Sequence, residues 1–469
     1  MIEFGTGGFR GVIAEDFTQQ NVRLIAEALA RIAEEEKKAD IPVAVGYDNR
    51  FMSDFAADWI CEVLAAHGMT ALRMRHPTPT PAVMYTVKEL GLSYGAMVTA
   101  SHNPYYFNGV KLFTEGGMDA DAEFTGRMEK MISRLENARI GTVAVDIAKR
   151  KGLVRDFDNT EDYLGFIKSF ISPKIMDNRV KILYDNIYGV GAGCLEKLAK
   201  DYHIARFDVL RGGHDAFFGF SLPNPTNEAM LSLAGKVKEG GYDFAMATDS
   251  DADRLGILDE NGCVVDSNDI LGALYYYLHR YRGMKGGAVK NCATSLLIDK
   301  IAEKFGEKCY EVDVGFKNVS QKMAETDALI GGESSGGLTV RGYVRGKDSV
   351  FSASLFTEMV VMMKKPVSEI IREVHEFAGY SLSSSQSVIE LRSLDPVKEY
   401  LAENTPELSE KVVEKRCFGR NYKYILDDGW ALLRMSGTEP VLRVFAETKS
   451  AAVTESIIRE LTGELKKFA

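Results

Sequence analysis

The chain has 469 residues, of which 45% are hydrophobic and 26% charged, and a net charge of −10. That length exceeds one ordinary core and predicts roughly three or four domains; the composition is that of a folded globular chain with no disordered stretch. The acidic balance and the lack of a long Lys/Arg block exclude nucleic acid and an anionic membrane as partners. A small anionic substrate stays possible, because a few cations can converge in one cleft.

The opening MIEFGTGGFRG lacks a basic segment followed by an apolar one, and Glu358 interrupts the apolar run 350–363, so a cytoplasmic protein without membrane spans is expected. Six cysteines lie far apart with no CxxC pair, which predicts free thiols. Along the chain, strand-like runs alternate with helical ones: 42-PVAVGY-47, 53-SDFAADWICEVLAAHG-68, 69-MTALRMR-75, 80-TPAVMYTVKELG-91 and 94-YGAMVTA-100. This rhythm predicts α/β layers around a largely parallel sheet. It restarts at 179–202 and again at 287–306, giving three successive α/β units. Candidate linkers are 141–152, 259–269 and the polar 378-AGYSLSSSQS-387; beyond the last, 388–392, 422–436 and 441–448 read as antiparallel strands flanked by helices, an α+β domain.

The polar clusters stand between these elements. At the start, 5-GTGGFRG-11 has the look of a phosphate-cradling turn ending in Arg10, without the GK[ST] of a Walker loop. In 97-MVTASHNPYYFNGVKLF-113, Ser101, His102, Asn103 and Pro104 sit at the mouth of a strand. Turn chemistry accounts for them; so does a serine displayed as nucleophile or phosphate carrier. No GxSxG elbow is present in a strand-turn-helix context, which closes the Ser-His-Asp hydrolase route. The strand-to-helix turn 189-GVGAGC-194 lacks the third glycine of a dinucleotide fingerprint.

In 248-TDSDADR-254, three aspartates at alternate loop positions can face one point, which is costly unless a hard divalent cation neutralises them. An EF-hand needs glycine where Arg254 stands and an incoming helix, so a Mg²⁺ loop is the better reading, with a solvated acidic turn as the alternative. In 331-GGESSGGLTV-340, glycines surround Glu333, Ser334 and Ser335, a loop able to meet a polyol or simply a flexible hairpin. In 434-RMSGTEPVLRVFAE-447, Arg434, Ser436, Thr438 and Arg443 offer the donors a phosphate dianion needs, or form an ordinary turn with surface arginines.

Taken in order, GTGGFRG, TASHNP, NGVKLF, DSDADR, VGFK at 314–317, GGESSGG and RMSGTEP resemble the motif set of the α-D-phosphohexomutase superfamily, the phosphoglucomutase/phosphomannomutase group, across nearly the whole chain. The resemblance implies three similar α/β domains with mixed sheets, at 1–145, 146–262 and 263–377, and a C-terminal α+β domain at 378–469, around a central cleft. It implies that Ser101 is a phosphoserine, that Asp249, Asp251 and Asp253 hold Mg²⁺ with a phosphoserine oxygen, and that Glu333 and Ser335 grip sugar hydroxyls. Lys317 lies in the matching VGFK motif, and Arg434, Ser436, Gly437, Thr438 and Arg443 would hold the non-reacting phosphate. Arg10, Lys111, Arg254 and Lys347 would surround the transfer, with either lysine as a candidate base, and His102 would shape the loop.

The implied reaction moves phosphate between the 1- and 6-positions of a hexose, glucose first and mannose next, by way of a hexose 1,6-bisphosphate such as glucose 1,6-bisphosphate. A phosphoglucosamine mutase, a Mg²⁺-dependent sugar phosphatase and a silent sugar-phosphate sensor are the alternatives; oligomeric state is not legible. Ser250 and Ser349 stand where the family pattern has glycine, and Gly337 where mannose- and glucosamine-type branches have histidine.

Overall fold

The computed structural model describes residues 2–5, 8–135, 138–381, 383–436 and 440–469. They divide into two compact units, residues 1–270 with 335–370, and residues 271–334 with 371–469. Among the described residues no helix is long and apolar enough to cross a membrane.

The first unit contains two sheets. In one, the strands run Phe4–Gly5, Gly8–Val12, Phe107–Thr114, Tyr94–Val98, Val43–Tyr47, Ala71–Met74, Val154–Phe157, with Met118–Asp119 beside Phe107–Thr114. Every residue of Val43–Tyr47 and Tyr94–Val98 is buried, which is why these strands are continuous apolar runs rather than alternating ones. They pair in parallel with each other, and Ala71–Met74 and Val154–Phe157 extend the parallel part. The sheet is mixed rather than largely parallel, because Phe107–Thr114 returns antiparallel to Tyr94–Val98 after a short loop and Gly8–Val12 pairs antiparallel with it.

The second sheet has the order Arg206–Leu210, Lys181–Asp185, Phe244–Thr248, Leu255–Leu258, Val264–Val265. Its first three strands are parallel and its last two antiparallel. The predicted linker at 259–269 therefore holds a hairpin turn, closed by Asp259 Oδ1, which accepts from the amides of Asn261 (2.9 Å) and Cys263 (2.7 Å).

In the second unit, Cys309–Val312, Ala288–Asn291 and Ile330–Gly332 form parallel pairs. The C-terminal sheet, Ser383–Glu390, Val441–Thr448, Gly429–Met435, Asn421–Leu426, Val412–Phe418, is antiparallel throughout. Helices Asp395–Glu403 and Ala451–Leu465 close its core through Val397, Leu401, Ile457 and Leu461. The polar segment 378–387 is only partly a linker, since Ser383–Glu390 is an edge strand whose residues alternate between covered and exposed, half-buried until Ile389 enters the core. An edge strand with one wet face needs no apolar run, so its serines read as loop.

Candidate active site

Two loops leave the carboxyl ends of central strands, the position where α/β sheets place their ligands. The first follows Tyr94–Val98 and carries Ser101; the second follows Phe244–Thr248 and carries Asp249 to Arg254. Both lie in the first unit, and they meet: Ser101 Oγ donates to Asp249 Oδ2 at 3.0 Å. Ser101 is buried and left-handed, φ 50°, and Ala252 has φ 56°. Such conformations persist for non-glycine residues only where the surroundings hold them.

What holds the serine loop comes from residues the sequence reading passed over. The buried Arg50 guanidinium donates to the carbonyls of Ser101, Asn103 (2.5 Å), Pro104 (2.8 Å) and Phe107 (3.0 Å). Asp48 lies 3.4 Å from Arg50 Nε and accepts from Thr99 Oγ1 at 2.7 Å and Ser53 Oγ at 2.8 Å. The signal was available: 47-YDNR-50 is a polar cluster at the end of a buried strand, as 101-SHNP-104 is. Arg10, on Gly8–Val12, reaches the same loop through Asn103 Oδ1 at 2.7 Å.

Asp249, Asp251 and Asp253 are buried, and one carboxylate oxygen of each lies within 4.8 Å of the others. A solvated acidic turn is thereby excluded. Lys111 Nζ sits 2.7 Å from Asp251 Oδ2 and 2.9 Å from Asp253 Oδ2, Lys347 Nζ 3.0 Å from Asp253 Oδ2, and Arg254 Nε 3.9 Å from Asp253 Oδ1. Thr80 Oγ1, also unforeseen, donates to Asp251 Oδ2 at 2.6 Å. Burial opposes ionisation of Asp251 and Asp253, and the charge of Asp253 adds to this at Asp251, but Lys111, with Thr80 at Asp251 and with Lys347 and Arg254 at Asp253, holds both below the ordinary carboxylate range. Burial, then the charges of Asp253 and Asp251, raise Asp249 well above that range.

Asp251 Oδ1 and Asp253 Oδ1 are buried without a hydrogen-bond partner. Buried carboxylate oxygens left unpaired are costly. An oxygen-only set with two open acceptors fits a hard divalent cation.

Burial, followed by Arg254, Arg10 and Lys347, depresses the imidazole of His102, so the ring is neutral; its Nδ1 is 3.5 Å from Ser101 Oγ. Burial also disfavours the charge on Lys111, but Asp251 and Asp253 outweigh it and keep the ammonium. Gly337 explains how Lys347 arrives: a Cβ there would stand 2.2 Å from Lys347 Cδ. Ser335 belongs to this unit and is exposed.

In the second unit, Glu333 is buried and accepts from Asn291 Nδ2 at 2.8 Å and the Gly315 amide at 3.1 Å. Lys317 is half-buried in the first turn of Phe316–Thr326. Arg434 and Arg443 stand directly opposite across an antiparallel pair. Like charges so placed repel, and burial together with Arg443 lowers the pKa of Arg434. The pair is suited to an anion. The Ser436 amide donates to Val441 O at 2.9 Å; Gly437 and Thr438 lie outside the described residues.

Four family models match in succession: phosphoglucomutase/phosphomannomutase α/β/α domain I at residues 1–139, domain II at 161–262, domain III at 266–377, and the C-terminal domain at 397–463. A phosphoglucosamine mutase of Nautilia profundicola is 31% identical, covering 99% of this chain and 98% of its own. A phosphoglucomutase/phosphomannomutase of Thermococcus kodakarensis is 29% identical over 95% of this chain and 94% of its own. Among solved structures, a phosphomannomutase candidate from Thermus thermophilus superposes with a TM-score of 0.86 at 27% identity, covering 99% of each chain. The chain belongs to the α-D-phosphohexomutase superfamily, the phosphoglucomutase/phosphomannomutase family, and is an isomerase of the phosphohexomutase class.

Proposed function

We propose that the protein interconverts the 1- and 6-phosphates of a hexose, glucose first and mannose next, through a phosphoserine at Ser101. The observation that carries this reading is the contact of Ser101 Oγ with Asp249, 3.0 Å, inside a buried carboxylate triad surrounded by Lys111, Lys347 and Arg254. Asp249, Asp251 and Asp253 would hold Mg²⁺, which supplies positive charge to the phosphoryl oxygens when bound.

In the first half-reaction the bond from phosphorus to Ser101 Oγ breaks as one forms to a sugar hydroxyl oxygen, giving the hexose bisphosphate. The hydroxyl's proton passes, in net, to Oγ. The bisphosphate turns end over end, and its other phosphate returns to Ser101 with the proton moving in the opposite sense. Lys111 has two carboxylate partners and serves as fixed charge; Lys347 has one, at 3.0 Å, and is the lysine we assign to proton transfer. His102, whose proton affinity is lowered by burial, Arg254, Arg10 and Lys347, is a neighbour of Oγ that shapes the loop and a poor base.

A single arginine contributes ~10³ to 10⁵ in phosphoryl transfer, too little alone for a phosphate monoester. Arg10, Arg254 and the lysines must act together. Arg434 and Arg443, with Ser436, Gly437 and Thr438, would clamp the phosphate that is not reacting, and Glu333, Ser335 and Lys317 would contact the sugar. The sugar phosphates and the hexose bisphosphate are the partners this assigns.

A second reading, glucosamine phosphate as substrate, is favoured by relatives such as the phosphoglucosamine mutase at 31% identity. Phosphorus NMR separates the two: the protein with Mg²⁺ and a trace of glucose 1,6-bisphosphate is offered glucose, mannose and glucosamine 1-phosphates in turn. Fastest conversion to a 6-phosphate with glucose supports the first reading, and conversion of glucosamine 1-phosphate alone replaces it. Release of inorganic phosphate would mean a phosphatase.

A further inference from the structure

Ser250 sits between two metal-loop aspartates, at a position where the family motif has glycine, and its side chain is buried. Its Oγ donates to the carbonyl of Ser101 at 2.6 Å and lies 3.4 Å from Asp48 Oδ2. The one hydroxyl proton goes to the shorter contact. The backbone of Ser250 is fixed on both sides, its amide donating to Pro223 O at 3.2 Å and its carbonyl accepting from Val190 N at 3.1 Å. Its hydroxyl therefore approaches the serine loop from a rigid support.

We infer that Ser250 is a positioning residue that keeps Ser101 in register with the carboxylate loop throughout the catalytic cycle. The inference rests on the phosphoserine reading of Ser101. Side chains join the two loops through Ser101 Oγ to Asp249 and through Ser250 Oγ to the Ser101 carbonyl. The first contact uses the reacting oxygen. Once Oγ carries a phosphoryl group it has no proton to donate, so that contact is lost in half of the cycle. The second uses a backbone oxygen that takes no part in the chemistry, and it persists in both states.

Arg50 braces the same carbonyl, but its other guanidinium hydrogen bonds go to Asn103 and Pro104 in the serine loop and to Phe107, the first residue of the strand that follows it, while its Nε faces Asp48. Arg50 thus shapes the loop internally, while Ser250 ties it to the aspartates. With glycine at 250 the left-handed Ser101, φ 50°, would keep its shape and lose this register. The phosphoryl group would then sit less accurately against the metal ligands, which affects the transfer step more than sugar binding.

The test compares Ser250→Ala and Ser250→Gly with the parent in steady-state mutase assays, Mg²⁺ titrations and thermal melts. Losing one buried hydrogen bond from the tie is expected to lower kcat about five- to tenfold and to raise the Mg²⁺ midpoint severalfold. KM for the hexose phosphate should be unchanged, and the melting temperature should fall by no more than a few degrees, the cost of one buried hydrogen bond. Parent-like kcat in both variants overturns the inference, as does a change in KM alone or an activity loss that follows the loss of folded protein. Ser101→Ala, assayed alongside, tests the underlying reading separately: turnover in that variant removes the phosphoserine, whereas parent turnover with a silent Ser250→Ala removes only the tie.

Discussion

Lys347 reaches Asp253 by laying its aliphatic stem over Gly337, where a Cβ would meet Lys347 Cδ at 2.2 Å. A side chain at 337 and this ion pair therefore compete for one space. Gly337→Ala is expected to displace the ammonium and lower kcat about tenfold, at a stability cost of about 1 to 3 kcal/mol for the overpacked site; a parent-like kcat would show that Lys347 needs no such path. Arg443 has a different task. Its partner across the strands is Arg434, so under the proposed reading its removal would leave one guanidinium for the non-reacting phosphate. Arg443→Ala should raise KM for the sugar phosphate about ten- to a hundredfold, the weight of a charge-assisted hydrogen bond, with a smaller effect on kcat; steady-state kinetics check the split.

The residues proposed to carry a phosphate and a cation were legible as an ordered set of motifs, because chemistry restricts their types, whereas 101-SHNP-104 alone reads equally as a turn and 249-DSDADR-254 alone as an acidic loop. Asp48, Arg50 and Thr80 were not legible. Arg50 acts on backbone carbonyls, Asp48 on Arg50 and on the hydroxyls of Thr99 and Ser53, and Thr80 on another loop's aspartate; 47-YDNR-50 marks a polar cluster but not these contacts, which leave no spacing in the sequence.

At the scale of elements, helix Ser349–Met363 shows what the sequence pattern can and cannot convey. It is apolar almost all round because it is buried almost all round, so no amphipathic face marks it. Its N-cap, Asp348, accepts from the Phe351 amide at 2.9 Å, from Tyr163 Oη at 2.7 Å and from Tyr343 Oη at 2.6 Å. Burial pushes this carboxyl up to about 6, against the hydrogen bonds of Tyr343, Phe351 and Tyr163. The folded pKa is above the unfolded one, so the folded state binds the extra proton between about pH 4 and 6 and loses stability as pH rises through that window. The loss is on the order of 3 kcal/mol. Urea melts of Asp348→Asn should lack this component, so the difference between parent and variant changes with pH between 4 and 6 and is flat above; a constant difference would contradict the assignment. The buried parallel strands were equally legible as apolar runs. The first five residues of edge strand Ser383–Glu390 and the hairpin at 259–263 were read as linkers, while 388–390 were read as strand, because exposed strands and turns share a polar vocabulary.

For the whole molecule, the motif order pointed to the superfamily, and the sheets follow it: three α/β layers and an antiparallel C-terminal sheet. Less visible was the buried charge that joins two of these sheets within the second unit. Lys423 is fully buried, donates to Cys292 O at 2.8 Å and to Glu311, and lies 4.3 Å from the Trp430 ring centroid. Lys290, also buried, pairs with Asp299 and approaches Glu311 at 3.9 Å. Removing one partner of a buried pair strands the other, at about 3 to 5 kcal/mol. Lys423→Met should therefore reduce hydrogen-exchange protection in Asn421–Leu426 and Ala288–Asn291, while Tyr94–Val98 in the other unit keeps its own. Equal loss in both units would mean that they unfold as one.

The most direct measurement is to incubate the protein with Mg²⁺ and a hexose 1,6-bisphosphate, digest it, and locate the phosphate by mass spectrometry. A phosphoserine at Ser101 is expected, absent from Ser101→Ala, which should still bind the sugar phosphate but lose more than about a thousandfold in turnover. Phosphate on Asp249 or Asp251, or sustained mutase turnover with Ser101 unmodified, would contradict it.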